Sequence, residues 1–270
     1  MNPLIIFQSD AQLLEGPVFD LKNKLLYFVS ILDYIVYCYN PTTNEILSVQ
    51  LDSPVSCIFI RDRKKVLVSS KKGFFKIDFD NLTKEFEFQL NIPTTVRYND
   101  GIEDSEGRLL IGTMGYPEVI NGLGNVYSYF NGGQKTIITE TTISNGMAFS
   151  LDNQYLYFID TPTKKVAKYK YDINSGDARF ESYVIEFKSE SSPDGMCIDE
   201  AGMLWIAEWG GACVSQWNPI NGEKLRDIEL PSVNVTSCCF DNLSNLYVTT
   251  AESDIKNDKI GSGLFYIELN

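Results

Sequence analysis

The chain has no histidine among its 270 residues. That excludes Ser-His-Asp and Cys-His catalysis and every imidazole-ligated metal site. Catalysis, if present, rests on carboxylates, amides, Arg, Lys, Tyr, Cys or a metal held by oxygen ligands. No apolar run approaches the roughly 20 residues that cross a bilayer. The amino-terminal "LIIF" is too short for a signal-peptide core and follows no basic residue, so the expected location is cytoplasmic. The six cysteines (Cys38, Cys57, Cys197, Cys213, Cys238 and Cys239) form no C-x-x-C pair and sit in apolar strand patterns. They read as core thiols rather than as disulfides or a zinc site. Positive charge is scarce too: 23 basic against 36 acidic residues leave a net charge of -13. This argues against nucleic acid or an anionic membrane as partner and mildly favours a bound cation.

Convincing amphipathic helices are also missing, and strand-forming residues take their place: 16 Phe, 15 Tyr and many β-branched side chains. Apolar triplets recur behind polar turns at Leu26-Tyr27-Phe28, Val66-Leu67-Val68, Leu109-Leu110-Ile111, Leu156-Tyr157-Phe158, Leu204-Trp205-Ile206 and Leu246-Tyr247-Val248. Their spacing is about 40–48 residues, the size of one propeller blade. Most triplets are followed by a second short strand ending in an Asn/Asp-rich turn, as in "VYCYNPTTNEI" and "VSQWNPINGEKL". Each unit reads as a four-stranded antiparallel meander. The expectation is therefore an all-β fold, a six-bladed β-propeller with a metal site at the mouth of its central channel, built as one domain over residues 1–270. The amino-terminal "PLIIF" and carboxy-terminal "GLFYIEL" are placed to share the last blade.

In a propeller the start of each innermost strand faces the axis. Counting back ten or eleven residues from the triplets gives Glu15, Ser56, Asn99, Asn145, Asp194 and Thr236, all with oxygen-bearing side chains. Glycine directly follows three of them, in Glu15-Gly16, Asn145-Gly146 and Asp194-Gly195, while Asp100 separates Asn99 from Gly101. Glycine permits a sharp turn and a close approach of backbone to ligand. Singly, each of these is an ordinary turn residue. In register, Glu15, Asn99, Asn145 and Asp194 converge, and two carboxylates with two amides at one point call for a cation between them. Oxygen donors suit a hard divalent ion such as Ca²⁺ or Mg²⁺, with Mn²⁺ also open.

The stretches "LLEGPVFD", "RYNDGIEDSEGRLLIGTM", "ISNGMAFSLDNQYLYFID", "SPDGMCIDEAGMLWIAEWGG" and "TSCCFD" resemble the SMP-30/gluconolactonase/luciferin-regenerating-enzyme family, which includes regucalcin. The resemblance implies a propeller with one divalent metal, Ca, Mg, Mn or Zn, held by Glu15, Asn145 and Asp194. It implies a substrate contact from Arg97, with Asn99 facing the same site, and a metal-dependent hydrolysis of sugar lactones. One departure is local. Animal members carry an acidic segment after "GTM", whereas here "GYPEVINGLGN" puts Pro117 in the simplest register and Glu118 one place away. The Trp209 context "AEWGG" is closer to the bacterial sugar-lactonase branch.

On this reading Asp194 is both metal ligand and the base that takes a proton from water. Arg97 and Asn99 orient the substrate, with a surface or blade-bridging salt link as the plain alternative for Arg97. Asp100 stays open between a turn and a functional role. Asp160 is a candidate to sit behind the metal, and Tyr116 and Trp209 are candidate pocket walls or rim packing. The expected partner is a small molecule, a sugar lactone. Competing readings are hydrolysis of another ester or an organophosphate, and a non-catalytic metal-binding propeller scaffold.

Overall fold

A computed structural model describes residues 2–254 and 260–269. Apart from a 3-10 turn at Thr161–Thr163, the regular elements among these residues are all strands. Strand β1 (Leu4–Gln8) precedes a meander of β2 (Leu14–Asp20), β3 (Leu25–Ser30), β4 (Ile35–Asn40) and β5 (Glu45–Gln50). The second meander is β6 (Val55–Asp62), β7 (Lys65–Ser70), β8 (Gly73–Asp78) and β9 (Thr83–Phe88). The third is β10 (Val96–Glu103), β11 (Leu109–Gly115), β12 (Gly124–Phe130) and β13 (Gly133–Thr141). The fourth is β14 (Ser144–Phe149), β15 (Tyr155–Asp160), β16 (Lys165–Asp172) and β17 (Asp177–Glu186). Then come β18 (Ser192–Ile198), β19 (Leu204–Trp209), β20 (Cys213–Asn218), β21 (Glu223–Glu229), β22 (Asn234–Phe240), β23 (Leu246–Ala251) and β24 (Gly263–Ile267).

The molecule is an all-β propeller, but the expected six separate blades are corrected to four. Strands β2 to β17 make four independent four-stranded sheets, and the remaining eight strands form one eight-stranded sheet. The join is local: β19 runs on to Trp209, whose backbone pairs with Asn234 of β22. Periodic triplets cannot reveal such a junction, because it is made by the last residue of one strand and the first of another. Strand β1 pairs antiparallel with β24, so the two chain ends share the end of that sheet as expected.

The apolar triplets lie on the second strand of each unit, and β3 and β11 are buried along their whole length. Burial on both faces explains why these strands are continuous apolar runs rather than alternating patterns. Apolar layers fill the space between successive sheets, such as Tyr27, Val29, Ile58, Val68 and Phe79 between the first two. Further layers run around the molecule until Leu14, Phe28, Tyr247 and Leu264 close the circuit. The first strands β2, β6, β10, β14, β18 and β22 touch one another in a ring, with β22 returning to β2. Outer strands such as β9 and β21 carry mostly exposed, charged residues.

Candidate active site

Each first strand bulges at the position singled out above. Register slips by one residue between Glu15 and Val18, Val55 and Ile58, Tyr98 and Gly101, Ser144 and Met147, Pro193 and Met196, and Val235 and Ser237. A bulge leaves a residue unpaired and re-aims its side chain. The alignment drawn from the sequence is the one the backbone uses. Leu14, Val55, Tyr98, Ser144, Pro193 and Val235 pair with Ser30, Ser70, Thr113, Asp160, Glu208 and Thr250, and the oxygen residue follows each of them. Glycine is needed here for space. A Cβ on Gly146 would lie 2.6 Å from the Asp194 carbonyl, so β14 and β18 approach to backbone contact where Asn145 and Asp194 stand.

Three carboxylates meet at this level. Asp194 is 7% exposed, and its Oδ1 is fully buried with no hydrogen-bond partner. Burial, then the neighbouring Asp100 carboxylate, raises the Asp194 pKa to about 8, against the opposing pull of the Asn145 amide, the Gly195 N–H and Arg97. Burial also raises Glu15 well above the carboxylate range, with Asp194 and Asp100 adding to it. Asp100 is raised by burial to about 6, offset by its Gly101 N–H bond of 2.7 Å. Glu15 Oε2 accepts a bond from Gly16 N at 2.7 Å. Desolvation and mutual repulsion both disfavour ionisation here, and a cation among the oxygens would reverse both.

The buried Arg97 is the cation facing this cluster, and desolvation lowers its pKa to about 10 while Glu15 and Tyr116 push it back up. Its Nη1 donates to Tyr98 O at 2.9 Å and to Asn99 Oδ1 at 2.7 Å. Asn99 in turn donates through Nδ2 to Ser144 O at 2.9 Å, which ties β10 to β14. Arg97 is therefore an inward-facing group held by Asn99, not a surface salt link. Asn145 is 5% exposed and donates through Nδ2 to Thr161 Oγ1 at 3.0 Å.

Ser56 and Thr236 occupy the same register but face other partners. Ser56 bonds Ser69 at 2.7 Å, and Thr236 donates to Leu14 O at 2.6 Å. Glu118 is exposed in the loop after β11 and takes no part in the cluster. Trp209 is 38% exposed at the sheet junction. Asp160 accepts backbone bonds from Thr142 and Ile143 and so braces the entry to β14. Sequence reasoning missed Tyr34, which lies close enough to Tyr116, beside Arg97, to help raise the Tyr116 pKa. It also missed Thr161; its signal was its place directly after Asp160 in "YFIDTP".

A cavity of about 860 Å³ runs beneath the carboxylates, with Gly16, Asp100, Gly101 and Ser237 in its wall. Asp100 thus touches both the carboxylate cluster and this cavity. Glu208, Cys213 and Asp227 also bring metal-ligating atoms together. There Lys224 Nζ lies 3.0 Å from Glu208 and 2.6 Å from Asp227, so an ammonium already supplies the positive charge.

Residues 13–252 match the family model described as the SMP-30/Gluconolactonase/LRE-like region. The chain belongs to this family. Among SMP-30/gluconolactonase/LRE-like relatives, human regucalcin is 33% identical over 247 residues, covering 88% of this chain and 82% of regucalcin. The putative sugar lactone lactonase YvrE of Bacillus subtilis is 29% identical over 278 residues, covering 100% of this chain and 95% of that protein. Two solved structures share the fold. A luciferin-regenerating enzyme superposes with a TM-score of 0.90 at 24% identity, covering 98% of this chain and 95% of its own. The regucalcin of Agrobacterium tumefaciens, described as a calcium-binding protein, gives a TM-score of 0.89 at 23% identity, covering 97% and 92%.

Proposed function

We propose that the chain is a divalent-metal-dependent hydrolase that opens a sugar lactone. Membership of the gluconolactonase-containing family supports a lactonase role. The observation that carries the metal dependence is the buried, partnerless Asp194 Oδ1 among carboxylates whose ionisation is suppressed by burial and by one another. Such a donor set fits a hard cation, and Glu15, Asn145 and Asp194 would hold it. When bound, the ion supplies Lewis-acid polarisation of the lactone carbonyl and acidifies water.

The protein's own groups then have separate tasks. Ionised Asp194 uses its second carboxylate oxygen to take the proton of the attacking water, and returns it to the ring oxygen as the acyl C–O bond breaks. A carboxylate is a weak base near its ordinary pKa, so this works only on water that is already acidified. Arg97 offers its remaining N–H groups to substrate oxygens, and Asn99 holds the guanidinium so that the fork faces the cluster. Tyr116 stands beside Arg97, placed to contact a substrate that the guanidinium holds. A small-molecule substrate agrees with the net charge of -13, which disfavours nucleic acid. No helix among the described residues is long and apolar enough to cross a membrane.

The test is direct. Protein stripped with a chelator is offered a panel of aldonolactones with and without Ca²⁺, Mg²⁺, Mn²⁺ and Zn²⁺, and ring opening is followed by acid release. Metal-restored turnover on at least one lactone is expected. Turnover on carboxylic esters or phosphotriesters alone would move the substrate class, and metal binding with no turnover on anything would leave a scaffold.

A further inference from the structure

The central channel has two ends, and the carboxylate cluster divides them. In each unit the chain runs along the first strand away from its oxygen residue, turns, and returns on an antiparallel second strand. Tyr34 and Tyr116 follow second strands and so stand at the end that holds Arg97, whereas Leu21, Glu200 and Asn242 follow first strands and stand at the other. The cavity of about 860 Å³ belongs to this second end. An apolar residue of every first strand lines it: Phe19, Ile58, Ile102, Met147, Met196 and Phe240, each two to four residues beyond the oxygen residue of its strand. At the rise of a β-strand that is roughly 7–13 Å further along the channel. Arg97, Tyr116 and Asp194 are not in its wall.

The volume falls inside the roughly 300–1,000 Å³ of small-molecule pockets, whose walls are mostly apolar with a few polar groups. Charge in this wall is lopsided. Asp100 at the inner end, with Asp199, Glu200 and Asp241 toward the mouth, sets four carboxylates against the single guanidinium of Arg226. That guanidinium is already engaged: Nε donates to Gln216 Oε1 at 2.9 Å, and the group lies 4.8 Å over the Trp205 ring. Asp199 and Asp241 take bonds from neutral donors, such as Trp205 Nε1 at 2.8 Å and Tyr266 OH at 3.0 Å, which leave their negative charge in place. A cleft with low-dielectric walls and one sign of charge draws in the opposite sign. Half-buried Phe19 and Phe240 add aromatic rings, whose faces attract ammonium groups. We propose that the cavity is a second ligand site, separate from the mouth that holds Arg97, and that it takes an apolar organic cation, an alkylammonium whose chain lies among Ile58, Ile102, Met147 and Met196. No metal at the carboxylates is needed for this.

The experiment is calorimetric titration of the full chain, in chelator, with n-octylammonium and with two probes of similar length, neutral n-octanol and anionic n-octanoate. The ammonium is expected to bind, the alcohol about tenfold more weakly and the carboxylate more weakly still. Ile102→Trp, which fills the cavity, should weaken the ammonium by at least about tenfold. Should that protein show no cooperative melt, Val18→Phe takes its place. Tyr116→Ala, at the far end of the channel, should keep wild-type affinity for the ammonium. No binding of the ammonium at millimolar concentration would overturn the proposal, as would equal or tighter binding of the alcohol or the carboxylate. Wild-type affinity in the filled variant, or a loss in Tyr116→Ala, would put the ligand elsewhere and overturn it too. Metal-restored lactone turnover is read in a separate assay, so failure here leaves the hydrolase reading standing.

Discussion

The partnerless oxygen of Asp194 concentrates what is unusual about this molecule at the residue scale. An ionised carboxylate buried beside Asp100 and Glu15 costs stability unless a cation lies among them. Asp194→Asn removes that cost along with the proton acceptor. The variant is expected to lose lactone turnover by more than a hundredfold, while in chelator its unfolding free energy equals or exceeds wild type by about 1 kcal/mol. Parallel melts and initial rates check both halves, and unchanged turnover would remove Asp194 from the reaction. The pH dependence follows from the same carboxylate. Its ordinary pKa near 3.8 is raised to about 8 in the folded chain, so between these values the native state binds more protons than the unfolded one. Stability in chelator should therefore be greatest below about pH 4 for this group and decline as pH rises toward 8. A cation competes with those protons, so the rise in melting temperature on adding metal should be larger at pH 8 than at pH 5. A metal-induced shift that is flat or falls with pH would contradict the assignment.

The elements place this chemistry through repeated bulges. The second strand of each unit centres on a buried apolar triplet, whereas the first strand carries a bulge at the oxygen residue and a close backbone approach after it. Gly146 shows how tight the packing is, with the position of a would-be Cβ 2.6 Å from the Asp194 carbonyl. Gly146→Ala must push β14 and β18 apart. It should cost about 1–3 kcal/mol, as overpacking does, and lower turnover even though no ligand atom is removed. Urea unfolding and rate measurements on the same sample test this, and wild-type values in both would show that the strands tolerate separation. The register of these strands was legible in the sequence because the apolar triplets fix the second strand, and pleating then fixes its partner. What the sequence did not mark is which aligned oxygens turn inward. Ser56 and Thr236 share the register of Asn145 and Asp194, yet bond to Ser69 and to Leu14. Short hydroxyls are satisfied by their own neighbours, whereas longer carboxylate and amide side chains reach past them.

For the whole molecule the decisive feature is closure. First strands contact one another in a ring, and the chain ends meet where β1 adds to β24. Phe7 on β1 packs at 5.9 Å from Phe28 and 5.4 Å from Tyr37, so this terminal strand joins the layer that closes the circuit. Removing residues 2–8 exposes the edge of β24 and that aromatic layer. The truncated chain is expected to melt at least several degrees lower and to aggregate at its unprotected edge, as light scattering would show. A truncated chain as stable as the full one would mean that the ring closes without its first strand.

The sequence by itself determined the all-β propeller class, the repeat length, the meeting of the termini and the positions of Glu15, Asn99, Asn145 and Asp194 in one register. It could do so because triplet spacing and strand pleat are local properties of the chain. Tertiary structure alone decided that two repeats share one eight-stranded sheet, leaving four separate blades where six were expected. It also decided that Arg97 is buried against Asn99, that Asp194 is left with a partnerless oxygen, and that Thr161 links Asn145 to Pro193. These depend on burial, and in part on hydrogen bonds between residues far apart in the chain, that exist only once the sheets have packed.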